Sequence, residues 1–222
     1  MFFSRKSSQN VDLASALPGR AQAIATAEKH HVNGHALKGP YPAGSESIIL
    51  AFGCYWGAER KLWTVPGVWV TAVGNAGGFT PNPTYEEVCG KTTGHAECLN
   101  IVFDSTKISF DELLEVFWQV HDPTTLNRQG GDAGPQYRSV VFYRDEAQKA
   151  KTEKYKAELD KSVAWDNPVV TTLEKFDVFY PAEDYHQNYY NNNGGQGYCQ
   201  IVIRPKVEKF EKVFKDKLKK HN

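Results

Sequence analysis

Apolar and polar positions alternate along this chain with two periods, and the changeovers mark its elements. Ile48-Ile49-Leu50-Ala51-Phe52 is a continuous apolar run, as in a strand covered on both faces, so a strand is expected over residues 47–52. Helical character follows over residues 54–63. A second strand is expected over 68–73, ending in the turn Gly74-Asn75-Ala76-Gly77-Gly78, whose residues tolerate positive φ. A short helix over 84–89 follows Pro81-Asn82-Pro83, and residues 96–103 alternate as a strand. Ser109 and Glu112 make a capping box, opening a helix with the apolar stripe Leu113, Leu114, Phe117 and Trp118. A strand over 139–143, a charged helix over 145–161 and a strand over 169–176 come next. Residues 183–190 read as helical and 194–197 as a flexible loop. Val207, Phe210, Phe214 and Leu218 give a last amphipathic helix its inner face.

Strands and helices mix without a strict βαβ rhythm, so a compact α+β layer fold is expected rather than a doubly wound sheet. Residues 1–44 are polar and punctuated by Pro18-Gly19, Gly39-Pro40 and Pro42-Ala43-Gly44. They read as an N-terminal extension, either wrapping the surface or left as a partly disordered arm. Residues 45–205 form the expected catalytic domain, with 206–222 as a helix packed on it. At 222 residues, 41% hydrophobic and 13% aromatic, the chain can bury one sizeable core. Its 26 basic and 26 acidic residues leave no basic footprint for nucleic acid or a membrane surface. No apolar run approaches the ~20 residues that span a bilayer, and Met1-Phe2-Phe3-Ser4-Arg5-Lys6 lacks the long apolar stretch of a signal peptide. A cytoplasmic monomer is expected.

The cysteines Cys54, Cys89, Cys98 and Cys199 are too scattered for a disulfide scaffold, and no CxxC pair suggests zinc. Cys54 stands at the start of a helix, where unpaired N–H groups and the helix dipole favour a thiolate. The alternative is a small buried hydrophobe at a strand end. Glu97 shares a strand face with Leu99, Ile101 and Phe103, whereas Cys98 faces the other way. Burial there would raise its pKa and suit a general acid; an exposed Glu paired with Lys91 is the plainer alternative. Asp132 and Tyr137 flank a glycine-rich stretch and offer an acceptor and a donor, or a bland turn. His186 is a base, a ligand or a structural histidine, with no second His at ligand spacing. Cys199 ends the flexible loop, from which it can swing to another sulfur, or else starts a strand with Gln200-Ile201-Val202-Ile203 and packs.

Gly53-Cys54-Tyr55-Trp56-Gly57, Thr84-Tyr85-Glu86-Glu87-Val88-Cys89, Gly94-His95-Ala96-Glu97, His121-Asp122-Pro123-Thr124-Thr125, Gln136-Tyr137-Arg138-Ser139 and Glu183-Asp184-Tyr185-His186-Gln187 occur in order. In this the chain resembles the A-type peptide methionine sulfoxide reductases, from about Leu17 to Pro205, and Leu17-Pro18-Gly19-Arg20 and Val32-Asn33-Gly34-His35 resemble the extension of long bacterial members. The resemblance implies a ferredoxin-like α/β sandwich around a mixed sheet. It implies reduction of the S epimer of methionine sulfoxide, free or in oxidised proteins, with no bound cofactor or metal and with thioredoxin as external reductant. Cys54 would be the nucleophile, passing through a sulfenic acid, and Glu97 the proton donor. Tyr85 and Tyr137 would hydrogen-bond the oxygen, and Tyr55 and Trp56 would hold the S-methyl group. Asp132, His186 and Tyr189 would complete the substrate site, and Cys199 would be the resolving cysteine.

The chain departs from the family's usual pattern at Tyr55 (more often Phe), at Asn75 (usually an aromatic) and at Pro135 (usually Thr), and it has no cysteine after Cys199. Two other readings share a helix-start cysteine or an aromatic pocket. A thiol peroxidase or disulfide exchanger leaves Glu97 and the two tyrosines unexplained. A non-enzymatic binding module would keep all function in Cys54→Ser.

Overall fold

The computed structural model describes residues 11–162, 165–215 and 218. Residues 1–10, where no signal segment is expected, and 216–217 and 219–222 of the expected last helix lie outside the described residues. In chain order the elements are β1 (Ser45–Phe52), α1 (Tyr55–Leu62), β2 (Val68–Ala76), α2 (Tyr85–Cys89), β3 (Ala96–Asp104), α3 (Phe110–Val120), the small hairpin β4 (Arg128–Gln129) and β5 (Asp132–Ala133), β6 (Ser139–Tyr143), α4 (Glu146–Lys161), β7 (Thr172–Lys175), β8 (Phe179–Pro181), α5 (Tyr189–Asn193) and α6 (Arg204–Val213).

The main sheet runs β7-β6-β1-β3-β2-β8. Only the β6–β7 pair is parallel, which makes the sheet mixed. Its inner order, β6-β1-β3-β2 with α1 and α3 as crossovers, is the βαββαβ arrangement of a ferredoxin-like sandwich. The apolar run of β1 has a direct cause. Ile48, Leu50 and Phe52 join Leu99, Ile101 and Phe103 of β3 under Leu62 of α1, Leu113, Leu114 and Phe117 of α3 and Phe210 of α6. Ile49 and Ala51 face the other way, with Cys98, Val140 and Phe142. Both faces of β1 are covered, so alternation vanishes from its sequence.

Part of that second face is covered by residues 11–44. Ala27 and Leu37 pack on Val70, Ala72 and Val102. The Leu17 amide donates to the Thr92 carbonyl at 3.2 Å, and Arg20 pairs with Glu87 at 2.6 Å.

Three expected elements come out differently. β2 continues through Gly74-Asn75-Ala76 instead of turning, because β3 pairs on one side and the unexpected β8 on the other. A Cβ on Gly74 would strike the Tyr180 carbonyl and the Phe179 ring, so this glycine serves close approach and not a turn. The expected helix over 183–190 breaks into a 3₁₀ turn, Asp184–His186, and α5, because Asn188 between them is left-handed at φ +54°. Cys199–Ile203 is a π-helical turn running straight into α6, neither a loop end nor a strand. Ile203 and Val207 turn inward with Cys199 while Ile201 is 77% exposed, a helical pattern too short to be read from Gln200–Ile203 alone.

Candidate active site

Gly53 turns the chain from β1 into α1 at φ +89°, where a Cβ would collide with Gln129, so only glycine fits. Cys54 is the N-cap residue of α1. Its sulfur accepts no capping hydrogen bond, although the nearby Tyr198 hydroxyl and Trp56 amide pull its pKa down, the expected direction at a helix start. Burial nevertheless dominates, and the Glu97 and Asp132 carboxylates add to it, pushing the thiol up to about 12. The expectation of a resting thiolate is therefore corrected. The end of a short helix does not offset the desolvation of the thiol.

Glu97 lies on the core face of β3, 2% exposed. The exposed pair with Lys91 does not form; one Glu97 oxygen accepts the Tyr55 amide at 3.1 Å instead. Burial, with Asp132 as a lesser contributor, raises its pKa to about 8 against that bond. The acid thus sits on the residue next to the thiol, and at neutral pH it is mostly protonated.

Tyr85 opens α2 behind a Thr84–Glu87 capping box, and its amide donates to Glu183 Oε1 at 3.0 Å. Tyr137 ends the 3₁₀ turn Pro135–Tyr137, where a proline suits the first position. Burial raises both phenols, and Glu97 raises them further, so both remain O–H donors. The Cys89 thiol adds to the rise of Tyr85. Cys98 lies on the other sheet face, bonded to the Gly74 carbonyl.

Trp56 is the hub of the aromatic wall. It stacks on Tyr189 at 3.8 Å, lies 6.1 Å from Tyr85, and meets the edge of Tyr198 at 5.8 Å. Its indole N–H donates to His186 Nδ1 at 3.2 Å. Burial lowers His186 to about 4, so it is neutral and structural, and it lies 4.2 Å from the Tyr85 ring. Tyr55 is buried beside Trp56 and His186, and its hydroxyl has no partner among the described residues. Among the described residues no group of three or more His, Cys, Asp or Glu side chains could hold a metal ion.

Asp132 accepts the Tyr198 hydroxyl at 2.8 Å, and that tyrosine also reaches Cys54. Tyr198 was not singled out in the sequence; a helical reading of the Cys199 region is the signal that would have found it. Cys199 itself is fully buried with Ile203 and Val207, against Trp56 and Tyr189. Ile203 packs close to Gly57 of α1, which brings this segment over the nucleophile.

A family model described as peptide methionine sulfoxide reductase matches residues 46–218. "Peptide methionine sulfoxide reductase MsrA" of Azotobacter vinelandii is 52% identical over 194 residues, 86% of this chain and 88% of that protein. The protein of the same name from Brucella anthropi is 49% identical over 199 residues, 89% of this chain and 91% of its own length. Among solved structures, methionine sulfoxide reductase A of Corynebacterium diphtheriae aligns with a TM-score of 0.74 at 37% identity, covering 86% of this chain and 93% of that one. Reduced Mxr1 of Saccharomyces cerevisiae aligns with a TM-score of 0.65 at 35% identity, covering 72% and 91%. No helix among the described residues is long and apolar enough to cross a membrane.

Proposed function

This chain belongs to the peptide methionine sulfoxide reductase family and is an oxidoreductase, and from that premise we propose that Cys54 and Glu97 reduce the S epimer of methionine sulfoxide, free or in oxidised proteins. The observation that carries the reading is the buried Glu97 carboxyl on the amide of Tyr55, directly beside the thiol. A sulfoxide oxygen leaves sulfur only when protonated or strongly hydrogen-bonded, so a thiol nucleophile needs an acid at hand. Tyr85 and Tyr137 serve as further donors to that oxygen. Trp56 and Tyr55, with His186 and Tyr189 behind them, hold the S-methyl group, and Asp132 lines the backbone side of the substrate.

The raised pKa values of Cys54 and Glu97 describe a pair that carries two protons below about pH 8 and one between about 8 and 12. With one proton on the pair, the thiol proton passes to the carboxyl and thiolate sulfur attacks the sulfoxide sulfur. The carboxyl then protonates the oxygen. The hydroxyl passes from the substrate sulfur to the Cys54 sulfur as the new sulfur–sulfur bond breaks, so methionine departs and Cys54 is left as a sulfenic acid. Attack by Cys199 on this sulfur, with its thiol proton passing to the leaving hydroxyl, forms the Cys54–Cys199 disulfide and releases water. A dithiol of the thioredoxin class then exchanges the disulfide. Tyr198 lies on Cys54, and Cys199, one residue on and ~100° around the helix, packs elsewhere. Resolution therefore requires the Cys199–Ile203 turn to open.

We assign the chemistry to residues 45–205, with 1–44 and 206–222 as additions packed on that unit. A thioredoxin-coupled assay on both sulfoxide epimers, with wild type and Cys54→Ser, tests the proposal. Turnover of the S epimer by wild type alone is expected; activity in Cys54→Ser, or equal use of both epimers, overturns it. Mass spectrometry after one turnover without reductant should find the Cys54–Cys199 bridge; a Cys54–Cys89 bridge would refute that pairing.

A further inference from the structure

The extension meets the segment that carries His186 and Tyr189 most closely at Asn188. This residue is clamped from three directions. Its amide N–H donates to Glu59 Oε2 at 2.7 Å. Its side-chain nitrogen lies 3.2 Å from Glu59 Oε1 and 2.7 Å from His30 Nε2. Its side-chain oxygen accepts the His31 amide at 2.7 Å. Glu59 belongs to α1, five residues after Cys54, and also accepts the Thr71 hydroxyl of β2 at 3.3 Å. Every one of these side chains except His31 is buried.

Asn188 needs such ties. Asparagine tolerates the left-handed region better than most residues, but a single such residue inside a packed segment is held there by its surroundings. Its two chain neighbours in the site depend on that conformation. His186, two residues before, takes the indole N–H of Trp56; Tyr189, the next residue, stacks on the same indole. Gln187 between them is fixed as well, bonding the amide and carbonyl of Val73 and the Thr26 hydroxyl.

We propose that His30 and His31 of the N-terminal extension are positioning residues for Trp56, acting through the left-handed Asn188. The extension then sets the affinity of the methyl pocket without touching substrate. This rests on the reading of Trp56 as the methyl wall, so the test includes a readout free of substrate.

The variants are His30→Ala, His30→Gln, which restores a polar side chain, and Asn188→Gly, which keeps the left-handed turn but removes the side-chain ties. The substrate-free readout is the indole N–H resonance of Trp56, identified by its loss in Trp56→Phe. It should shift in His30→Ala and Asn188→Gly and return in His30→Gln. The KM for methionine sulfoxide should rise about tenfold in the first two with kcat within about twofold, recover in His30→Gln, and rise no further in the double variant. An unmoved resonance overturns the positioning role; should His30→Ala fail to fold, Asn188→Gly alone decides. A shifted resonance with unchanged KM overturns the pocket role of the extension and would point to a different methyl wall.

Discussion

Glu97→Gln separates chemistry from stability at one position. The amide oxygen can still accept the Tyr55 N–H bond, now 3.1 Å long, but the titrating proton is gone. Loss of a general acid costs about 10²- to 10⁴-fold in the step it serves. The pH profile carries more information. With Glu97 at about 8 and Cys54 at about 12, the one-proton form of the pair dominates between those values. Methionine release in single turnovers should rise about tenfold per pH unit below ~8 and then level off. In Glu97→Gln the break near 8 should vanish, and the slowed rate should climb until the thiol itself ionises. Stability should move in the opposite direction. The carboxyl keeps its proton in the folded chain up to about pH 8 but in the unfolded chain only to its ordinary 4.5. Its contribution is whole below 4.5 and declines as pH rises to 8, a loss of about 3 kcal/mol by pH 7. The amide suffers no such loss, so urea unfolding should find the variant gaining on wild type across that window, by about 3 kcal/mol at pH 7. A methionine-release rate within about threefold of wild type at every pH refutes the acid role. A stability difference independent of pH refutes the buried neutral carboxyl.

Tyr198→Phe removes the hydroxyl that lowers the Cys54 thiol, so iodoacetamide should alkylate Cys54 a few fold more slowly at pH 8–9; faster alkylation would mean that Tyr198 acts as a cover and not as a donor. Gly53→Ala forces a side chain onto φ +89° and into Gln129, and should lower thermal stability by about 1–3 kcal/mol. An unchanged melting temperature there would contradict the constraint on the turn. Cys199→Ser should release one methionine per chain and then stall with a thioredoxin-class dithiol; sustained turnover would show that Cys199 is dispensable.

The strand–helix junction at Cys54 was legible because a buried strand and a helix differ in period on either side of Gly53. The facing of Glu97 was legible too, since alternation along β3 assigns it to the same side as Leu99 and Ile101. Its burial was not, because alternation does not say which end of a strand is covered. The break at Asn188 was hidden for a related reason. A left-handed asparagine costs little in sequence terms, and the groups that hold it, Glu59 and His30, are 129 and 158 residues away. β8 was missed because a three-residue strand has no period to detect and exists only through its pairing with β2.

By itself the sequence determined the α+β class, the main helices and strands, and the residue types available for thiol chemistry, since periods, caps and turn residues act over a few neighbours. Only the tertiary structure decided how those residues are charged and held. It buried Glu97 beside Cys54, so the pair rests with its protons on instead of as a thiolate. It wound Cys199 into a helical turn and brought the extension against Asn188. Desolvation and long-range hydrogen bonds depend on what packs against a group, and that is fixed only when distant segments meet.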